Sequence, residues 1–525
     1  MNVVKKCLEL AKKHKLVLTA LLFAMLPLIC CIVTCAVQGY GISDVYLPAS
    51  KWNDEMFYYK QAEGVLRFGY PYGYFGFNES HAEYLSFAAW SPVLLVPWLV
   101  FGIIFGWGLL SPIYCNILLL SLAVFGFVMI ARPSRRQLGL LAFLFIMFPL
   151  FTRYMLSGMP EITCFSLLIL FYAISRRHME KERVWSLVLL FVISAVLTLM
   201  RPYLILFMLL PMYFWIRKKK RVGLAGSAAC MGVTGAVYFA IKHYLGAEYF
   251  APLFDTKWIT TFFDQGLLAG IKNIFRTLYY AGKSFYGYTV EGFRSGLAAG
   301  AFFGGFLAVL SVLVIQTISD IRKKRTSQAI LNGHLAFCLI GMLGALLLMY
   351  KMEEGSKHML TFIAVGIFAI AMMETRYYKK AVFVGVIFAY LFTFKANTPY
   401  DYQVPFANEE QKEMIAYWEE TFTDQLVLNK SEKPGYDNVI IWTLSDTVTD
   451  GQEYTSKAFE WQLLYALPEG FGISCCDDYF LLNEFDSLQS RYIAVPTGGG
   501  VEKLCLAAGY PQIGEYAGMA VYARY

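Results

Sequence analysis

Long apolar runs alternate with short basic clusters over the first three quarters of the chain. Twelve runs approach the length of a membrane-crossing helix, although several are short for a hydrocarbon core of about 30 Å. They lie near residues 16–37, 91–110, 112–131, 138–155, 159–175, 185–200, 202–216, 222–242, 297–319, 334–350, 358–373 and 380–394. This pattern predicts a polytopic α-helical membrane protein. A hydrophobic fraction of 58% and a mean hydropathy of +0.50 exclude a soluble globular protein.

Basic residues between the runs set the expected orientation, because Lys and Arg in short loops stay on the cytoplasmic side. The N-terminal lysines and five later clusters should all face the cytoplasm, the later ones being those at 132–136, 176–183, 217–221, 322–325 and 376–380. Full crossing by every run would place the later clusters outside. One run must therefore not cross, and the prolines and tryptophans of 91–110 favour a re-entrant or interfacial helix there rather than at 112–131. About eleven crossings then remain.

This topology predicts a multi-pass protein of the cell membrane, with a cytoplasmic N-terminus and an extracytoplasmic C-terminus. The membrane domain is 1–394, and its outer face receives loop 38–90 and loop 243–296. The exterior domain is 395–525, with 8 Lys and Arg against 20 Asp and Glu, and this acidity excludes nucleic acid as a partner. Its pattern predicts a small α/β domain, with strands at 438–443, 471–474 and 491–495, helices at 456–466 and 500–508, and a hairpin within 512–525.

Two adjacent carboxylates open the first outer loop. Asp54 and Glu55 lie in the aromatic segment 51–59, about 17 residues after the first apolar run. A membrane enzyme that deprotonates an acceptor beside a lipid-borne donor needs carboxylates at such a place. Loop acids that are simply solvated would give the same pattern.

Aromatic and polar residues follow in the same loop. The candidate substrate-binding residues here are Tyr58, Tyr72, Tyr74, His81 and Glu83. Aromatic rings next to glycine-permitted turns form flat apolar walls that suit the CH faces of a sugar. An interfacial aromatic belt would have the same composition. The triple glycine 498–500 could cradle a phosphate, but it lacks the rest of a Gly-rich fingerprint and fits a plain loop.

Further charged residues are expected on the outer face. Glu161 follows Pro160 at the start of an apolar helix, where it either caps the helix or faces the first loop as a second acid. Arg201 separates two apolar runs. It is a candidate for binding a lipid phosphate, together with Lys351, Lys357 and His358 in a later outer loop. Ordinary contact with lipid headgroups would explain these basic residues equally well.

These features resemble the GT-C superfamily of membrane glycosyltransferases, in particular its protein O-mannosyltransferase and aminoarabinose transferase-like branch. The resemblance rests on Asp54-Glu55, the His81 to Pro92 segment, Glu161 and the acidic α/β tail. In that branch the loop often carries His-Pro-Pro-Leu, whereas here Ala-Glu-Tyr follows His81 and Ser-Pro-Val-Leu begins at residue 91. The resemblance implies sugar transfer from a polyprenyl-phosphate donor, with the first-loop acid as base.

The leading hypothesis is an inverting glycosyltransferase in which Asp54 deprotonates an acceptor hydroxyl on a glycan, lipid or protein. Arg201 would neutralise the leaving phosphate. Glu55 and Glu161 would orient hydroxyls, or hold a divalent cation if one is used, and the metal requirement stays open. A transporter or flippase for lipid-linked saccharides is the alternative. It should carry its ionisable residues near the midplane of broken helices, often in two related halves. A non-catalytic assembly or sensor protein is the third class, but an anchor alone needs a single helix.

Overall fold

The structure is a computed structural model. It describes residues 14–46, 54–69, 75–79, 91–148, 150–246, 257–295, 298–350, 357–373, 378–389, 404–423, 425, 436–448, 451–455, 467–468 and 471–525.

Helices make up the membrane part, as the apolar runs predict. In order they are α1 Lys15–Ala24, α2 Leu26–Val37, α3 Asp54–Phe68, α4 Val96–Phe105, α5 Ser111–Ala131, α6 Arg135–Ile146, α7 Leu150–Met155, α8 Glu161–Glu180, α9 Val184–Met200, α10 Leu209–Leu245, α11 Lys257–Asp264, α12 Leu267–Ser295, α13 Ala298–Arg322, α14 Thr326–Ala345, α15 Lys357–Ala371 and α16 Tyr378–Ala389. Prolines stand in the first turns of α2, α4 and α5, where the missing N–H has no helical partner to lose. Helices prevail because hydrocarbon cannot satisfy backbone N–H and C=O groups.

Within the described ranges, five helical stretches are long and apolar enough to cross a membrane. They are Lys15–Val37, Ser111–Ala131, Pro202–Leu245, Gly304–Arg322 and Thr326–Met349. Shorter apolar helices occupy Pro92–Phe105, Val184–Met200 and Met359–Ala371. At about 1.5 Å per residue, the first of these covers roughly 21 Å, less than a hydrocarbon core of about 30 Å. This is compatible with the expected re-entrant run at 91–110, and the number of crossings stays a prediction.

The long helix α10 is a helical hairpin. Its backbone leaves helical geometry at Lys220, with φ 38° and ψ −108°. A Cβ atom added at Gly226 would lie 2.2 Å from the Trp215 ring, and one at Gly223 would lie 2.6 Å from the Trp215 carbonyl oxygen. In a straight helix, residues 11 positions apart are separated by about 16 Å. The chain therefore reverses within the basic cluster 217–221, between the two apolar runs that the sequence separates there.

The expected outer loop 243–296 is largely helical where it is described. Helices α11 and α12 occupy most of it. Exposed apolar side chains on α12 recur at Leu268, Phe275, Tyr279 and Tyr286, which lie along one face of the helix. Such a stripe is typical of a helix that lies along a membrane surface.

The C-terminal domain contains a six-stranded mixed sheet, in which strands neighbour one another in the order β1-β5-β2-β6-β8-β7. The eight strands of the described chain are β1 Phe75–Phe77, β2 Val439–Thr443, β3 Ser445–Thr447, β4 Glu453–Thr455, β5 Gly472–Cys476, β6 Tyr492–Pro496, β7 Gln512–Tyr516 and β8 Met519–Ala523. Strands β1, β5, β2 and β6 run parallel, while β8 and β7 form an antiparallel hairpin. Ala517 and Gly518 both have positive φ in its turn. The three predicted strands and the hairpin are confirmed.

Two apolar layers cover the sheet, because successive side chains in a strand point to opposite faces. Ile440, Ile473 and Tyr492 belong to the same apolar cluster as the membrane helices and helix α17, Glu409–Thr423. Ile441, Cys476 and Ile493 pack with α18, Asp478–Glu484, and α19, Gly500–Ala507, in a second cluster. Helix α19 confirms the helical pattern at 500–508. The helix predicted at 456–466 lies outside the described residues.

The first outer loop contributes an edge strand to the sheet of the C-terminal domain. Strand β1 pairs in parallel with β5, with Phe75 opposite Ile473. The buried Glu79 carboxylate then accepts backbone N–H groups from Gln489 at 3.0 and 2.8 Å and from Ser490 at 2.6 Å. Residues separated by about 400 positions therefore build one sheet. The predicted domains 1–394 and 395–525 are joined through this strand.

Candidate functional site

Helix α3 carries the acid pair and begins at Asp54. The backbone of Asp54 lies in the first turn, and the position of its side chain is outside the described part of the chain. A carboxylate in a first turn is stabilised as an anion by the helix dipole. Glu55 is fully buried, and its Oε2 accepts the Gly158 N–H at 2.8 Å. The acid pair therefore begins a helix, and Glu55 is buried rather than solvated.

The turn 157–159, which binds Glu55 through the Gly158 N–H, is held in place by hydrogen bonds from Asn116. Asn116, inside α5, donates from Nδ2 to the carbonyl oxygens of Ser157 and Met159, both at 3.1 Å. Its Oδ1 accepts the Trp98 Nε1–H at 3.1 Å. Trp98 is fully buried in the protein, where this hydrogen bond satisfies its indole N–H. Buried side-chain hydrogen bonds of this kind fix a turn, since breaking one leaves an unsatisfied polar group.

Glu161 and Arg201 form a buried ion pair. Glu161 is the first residue of α8, and Arg201 lies between α9 and the 3₁₀ helix Pro202–Met208. Arg201 Nη2 donates to Glu161 Oε1, and each side chain is only 2% exposed. The sequence placed both residues on the outer face but did not predict that they pair. The roles predicted for Glu161 as a second acid and for Arg201 in phosphate binding are therefore coupled, because removing one partner leaves the other as a buried charge.

Tyrosine side chains from α3 and from the 3₁₀ helix lie close to this ion pair. Tyr58, one turn after Glu55 on α3, and Tyr203 both lie within electrostatic reach of the Arg201 guanidinium. Tyr58 is 2% exposed. The hydrogen bond from Gly158 to Glu55 and the proximity of Tyr58 to Arg201 bring α3 near the starts of α8 and of the 3₁₀ helix. Glu55, Tyr58, Glu161 and Arg201 are therefore gathered at one end of the helix bundle, and we call them the acid–arginine cluster.

Arg153 and Asn116 belong to the same region and were missed in the sequence. Arg153, in α7, is 2% exposed and donates from Nη1 to the Leu156 carbonyl oxygen at 3.2 Å. Both residues interrupt apolar runs, and a polar side chain at membrane depth is a recognisable signal of a buried role.

The other predicted site residues are not brought into the cluster by any described contact. Tyr72, Tyr74, His81, Glu83 and Lys351 lie outside the described residues. Lys357 and His358 are the first two residues of α15, and the positions of their side chains are not described. Their roles stay predictions.

Helix α3 also contacts the C-terminal domain. Lys60 is buried and binds Glu63 Oε2 at 3.0 Å, while its Nζ also donates to the Leu467 carbonyl oxygen at 3.4 Å. Tyr59 packs against Trp107 with ring centroids 5.2 Å apart. Together with strand β1, these contacts tie α3 both to the membrane helices and to the exterior domain.

The triple-glycine loop 498–500 serves as a structural cap. Asp446 accepts the N–H groups of Gly500 at 3.1 Å and Val501 at 3.0 Å, and Glu502 accepts that of Gly498 at 2.6 Å. A bound phosphate would need those same N–H groups. The protein's own carboxylates fill the place, so the loop interpretation is the correct one.

The buried cysteines of the exterior domain are expected to be unreactive. Cys475, Cys476 and Cys505 are free and buried. Burial raises the pKa of the Cys476 and Cys505 thiols to about 12, so both stay protonated at neutral pH. Thiol nucleophiles and thiolate ligands require the deprotonated form.

The metal requirement stays open. Among the residues whose side chains are described, no three His, Cys, Asp or Glu side chains group as metal ligands. Glu161 already has Arg201 as its cationic partner. The adjacent carboxylates of Asp54 and Glu55 would be the candidate oxygen ligands for a hard divalent cation.

The acid–arginine cluster brings together ionisable groups of both signs. It combines carboxylates, a buried guanidinium and phenol groups in surroundings of low dielectric constant, where charge interactions are strong. A guanidinium presents several N–H donors in a plane, which matches phosphate oxygens.

The fold has relatives of known structure, although no protein-family model and no curated protein matches the sequence. It is similar to the oligosaccharyltransferase of Archaeoglobus fulgidus, solved with Zn and sulfate, at a TM-score of 0.50 and 13% identity over 92% of this chain and 68% of that one. Lower similarity, at a TM-score of 0.42, extends to ArnT from Cupriavidus metallidurans in the apo state and bound to undecaprenyl phosphate, with 10% and 11% identity over 96% of this chain and 97% of ArnT.

The oligosaccharyltransferase match covers both the membrane helices and the exterior domain, and at 13% identity it concerns the fold. The protein is a multi-pass integral membrane protein with a C-terminal mixed α/β sheet. The chain shares its fold with that oligosaccharyltransferase, and this agrees with the predicted resemblance at the level of fold.

Proposed function

We propose that the protein is an inverting membrane glycosyltransferase that uses a polyprenyl-phosphate-linked sugar. The acceptor is a hydroxyl group presented at the outer face of the membrane. Asp54 acts as the general base, and Arg201 binds the donor phosphate. Glu55 and Glu161 orient the reacting groups or the side chains that hold them.

The reaction exchanges one bond at the anomeric carbon. The acceptor oxygen attacks that carbon while its proton passes to the Asp54 carboxylate. The bond from the anomeric carbon to the phosphate oxygen breaks, and polyprenyl phosphate leaves with the electron pair. Positive charge from Arg201 stabilises the phosphate as its charge develops, the kind of electrostatic contribution that is usually largest in such reactions.

The acid–arginine cluster is the observation that carries the proposal. Four of the predicted site residues, which are spread over about 150 positions, share one buried region next to the start of α3. Charged groups at this depth are costly, and they usually mark substrate or ion sites. The similarity of the fold to an oligosaccharyltransferase supports the proposal.

The transporter alternative is less well supported by the geometry. Transporters of lipid-linked substrates usually keep ionisable residues near the middle of broken helices. Here Glu161 is the first residue of α8 and Arg201 the residue that follows α9, so both lie at helix ends. This position favours chemistry at one face of the membrane over passage across it.

Sugar transfer by purified variants from a synthetic polyprenyl-phosphate sugar tests the proposal. Asp54→Asn keeps the size of the side chain but cannot accept the proton, so turnover should fall by about 10²–10⁴-fold while donor binding persists. Asp264→Asn is the matched control, because Asp264 is exposed at the end of α11, away from the cluster. Wild-type turnover in Asp54→Asn would exclude it as the base, and loss of donor binding alone would make it a structural or metal-holding group.

A further inference from the structure

A polar cavity lies at the opposite end of helix α8 from the acid–arginine cluster. Arg176 lines it, 15 residues after Glu161, which corresponds to about 22 Å along the helix axis. Arg325, Gln328 and Asn332 line it from the start of α14. Its volume is about 90 Å³, whereas one water needs only roughly 10–15 Å³ of such space. The cavity therefore has room for a polar group larger than a single water.

A second space adjoins the first and shares Arg176, Gln328 and Leu331 with it. This neighbouring space measures about 210 Å³ and is also lined by Ser327 and Glu180. Ser327, Gln328 and Glu180 are exposed, so the two spaces together lead from the buried polar floor to the surface. The mouth lies beside the basic turn 322–325 between α13 and α14.

The floor of the cavity is a buried hydrogen-bond network. Asp320 is 1% exposed, and its carboxylate oxygens accept Gln316 Nε2 at 2.8 Å and Asn332 Nδ2 at 3.2 Å. Lys380 Nζ donates to Gln316 Oε1 at 3.0 Å. The Asp320 carboxylate therefore already accepts hydrogen bonds from two side-chain amides. The Lys380 ammonium in turn binds one of these amides, that of Gln316.

The balance of charge around the cavity is positive. Arg176 and Arg325 line it and Lys380 supports its floor, against the carboxylates of Asp320 in the floor and Glu180 in the adjoining space. Arg176 also contacts the Met372 carbonyl oxygen at 3.4 Å and Glu180 at 3.9 Å, which hold the guanidinium at the cavity wall. Arginines held in this way, with amide donors beside them, match the oxygens of a phosphate group.

We propose that this cavity is a phosphate-binding site, separate from the proposed sugar-transfer site and at the membrane face that carries the basic clusters. Basic pockets between membrane helices at that face bind lipid phosphates in other proteins. The phosphate is either the headgroup of an anionic phospholipid or a free phosphate compound that enters through the exposed mouth. The site does not depend on the proposed glycosyltransferase activity.

Binding to the purified full chain in detergent tests this site with two probes. Inorganic phosphate, titrated at constant ionic strength, represents the free source, and dihexanoyl phosphatidate represents the headgroup. Thermal unfolding and native mass spectrometry report binding of each probe. A rise of the unfolding temperature with inorganic phosphate assigns the free source, and a rise with phosphatidate alone assigns the headgroup.

Variants decide whether the cavity is responsible. Arg325→Gln should weaken binding about tenfold or more, because a charge-assisted hydrogen bond is lost. Gln328→Glu should also weaken it by placing a negative charge at the exposed mouth, where the substitution leaves the buried network intact. Arg322→Gln is the matched control, since Arg322 is exposed in the same basic turn and does not line the cavity.

Binding that falls in Arg325→Gln and Gln328→Glu but not in Arg322→Gln supports the site. The proposal is overturned if neither probe binds, or if all three variants weaken binding equally, which would indicate general attraction to the basic turn. Sugar transfer is not needed for either measurement, so failure of the proposed function would leave this result intact.

Discussion

The buried pair of Glu161 and Arg201 allows a direct test of what the acid–arginine cluster does. Both side chains are 2% exposed, so neither charge can be solvated when its partner is removed. Glu161→Gln or Arg201→Met alone should each cost about 3–5 kcal/mol of stability, as is typical when one partner of a buried pair is lost. The double variant leaves no uncompensated charge, and its cost should fall short of the sum by about 2 kcal/mol.

An exposed pair supplies the comparison. Arg217 and Glu182 also form an ion pair, but their side chains are 54% and 42% exposed. Glu182→Gln should therefore cost less than about 1 kcal/mol. The free energy of unfolding is measured for all variants by denaturant titration in mixed micelles, and sugar transfer is measured on the same preparations.

Stability and activity should separate in the double variant. Packing tolerates the loss of both charges, but the donor phosphate loses its guanidinium, so transfer should stay low while stability partly recovers. Single variants that cost under about 1 kcal/mol would refute the reasoning from burial. Recovery of wild-type transfer in the double variant would show that the pair is structural only.

Four further outcomes are expected. Arg201→Lys should weaken donor use less than Arg201→Ala, because the charge remains and only the planar fork is lost; equal wild-type kinetics in a donor titration would contradict this. Glu55→Gln should slow transfer less than Asp54→Asn, measured in the same assay. Glu79→Gln should cost about 2 kcal/mol by disturbing its hydrogen bonds with N–H groups of the exterior domain, seen as faster limited proteolysis of that domain. Cysteines introduced at 134 and 355 should react with impermeant reagents from opposite sides of the membrane, and labelling from one side would overturn the charge-based topology.

Local patterns in the sequence carried much of the fold. Apolar run length predicted the membrane helices, and the basic cluster 217–221 marked the turn that the structure shows at Lys220. Alternation and turn residues located β2, β5, β6 and the β7–β8 hairpin within a residue or two. Such features follow from the sequence because the environment imposes them on each segment separately: hydrocarbon on helices, and a two-sided core on strands.

The candidate site was located only in part by the sequence. Asp54 and Glu55 were selected as adjacent carboxylates in the first outer loop, and Glu161 and Arg201 as charges beside apolar runs on the expected outer face. The sequence could not predict that Glu55 accepts the Gly158 N–H or that Glu161 binds Arg201, since each contact joins segments from different helices. The role of Asn116 was missed for the same reason, because it binds a turn about 40 residues later in the chain.

Tertiary structure alone decided how the two domains meet. Strand β1 looks like an aromatic loop in the sequence and becomes a strand only by pairing with β5, about 400 residues later. In the sequence Glu79 is an acid in a loop, whereas in the structure its carboxylate accepts the N–H groups of Gln489 and Ser490. Edge strands and buried carboxylates depend on partners supplied by distant segments, so their identity is a property of the assembled packing. The sequence determined which segments enter the membrane and which build the sheet, whereas long-range packing determined which residues face one another.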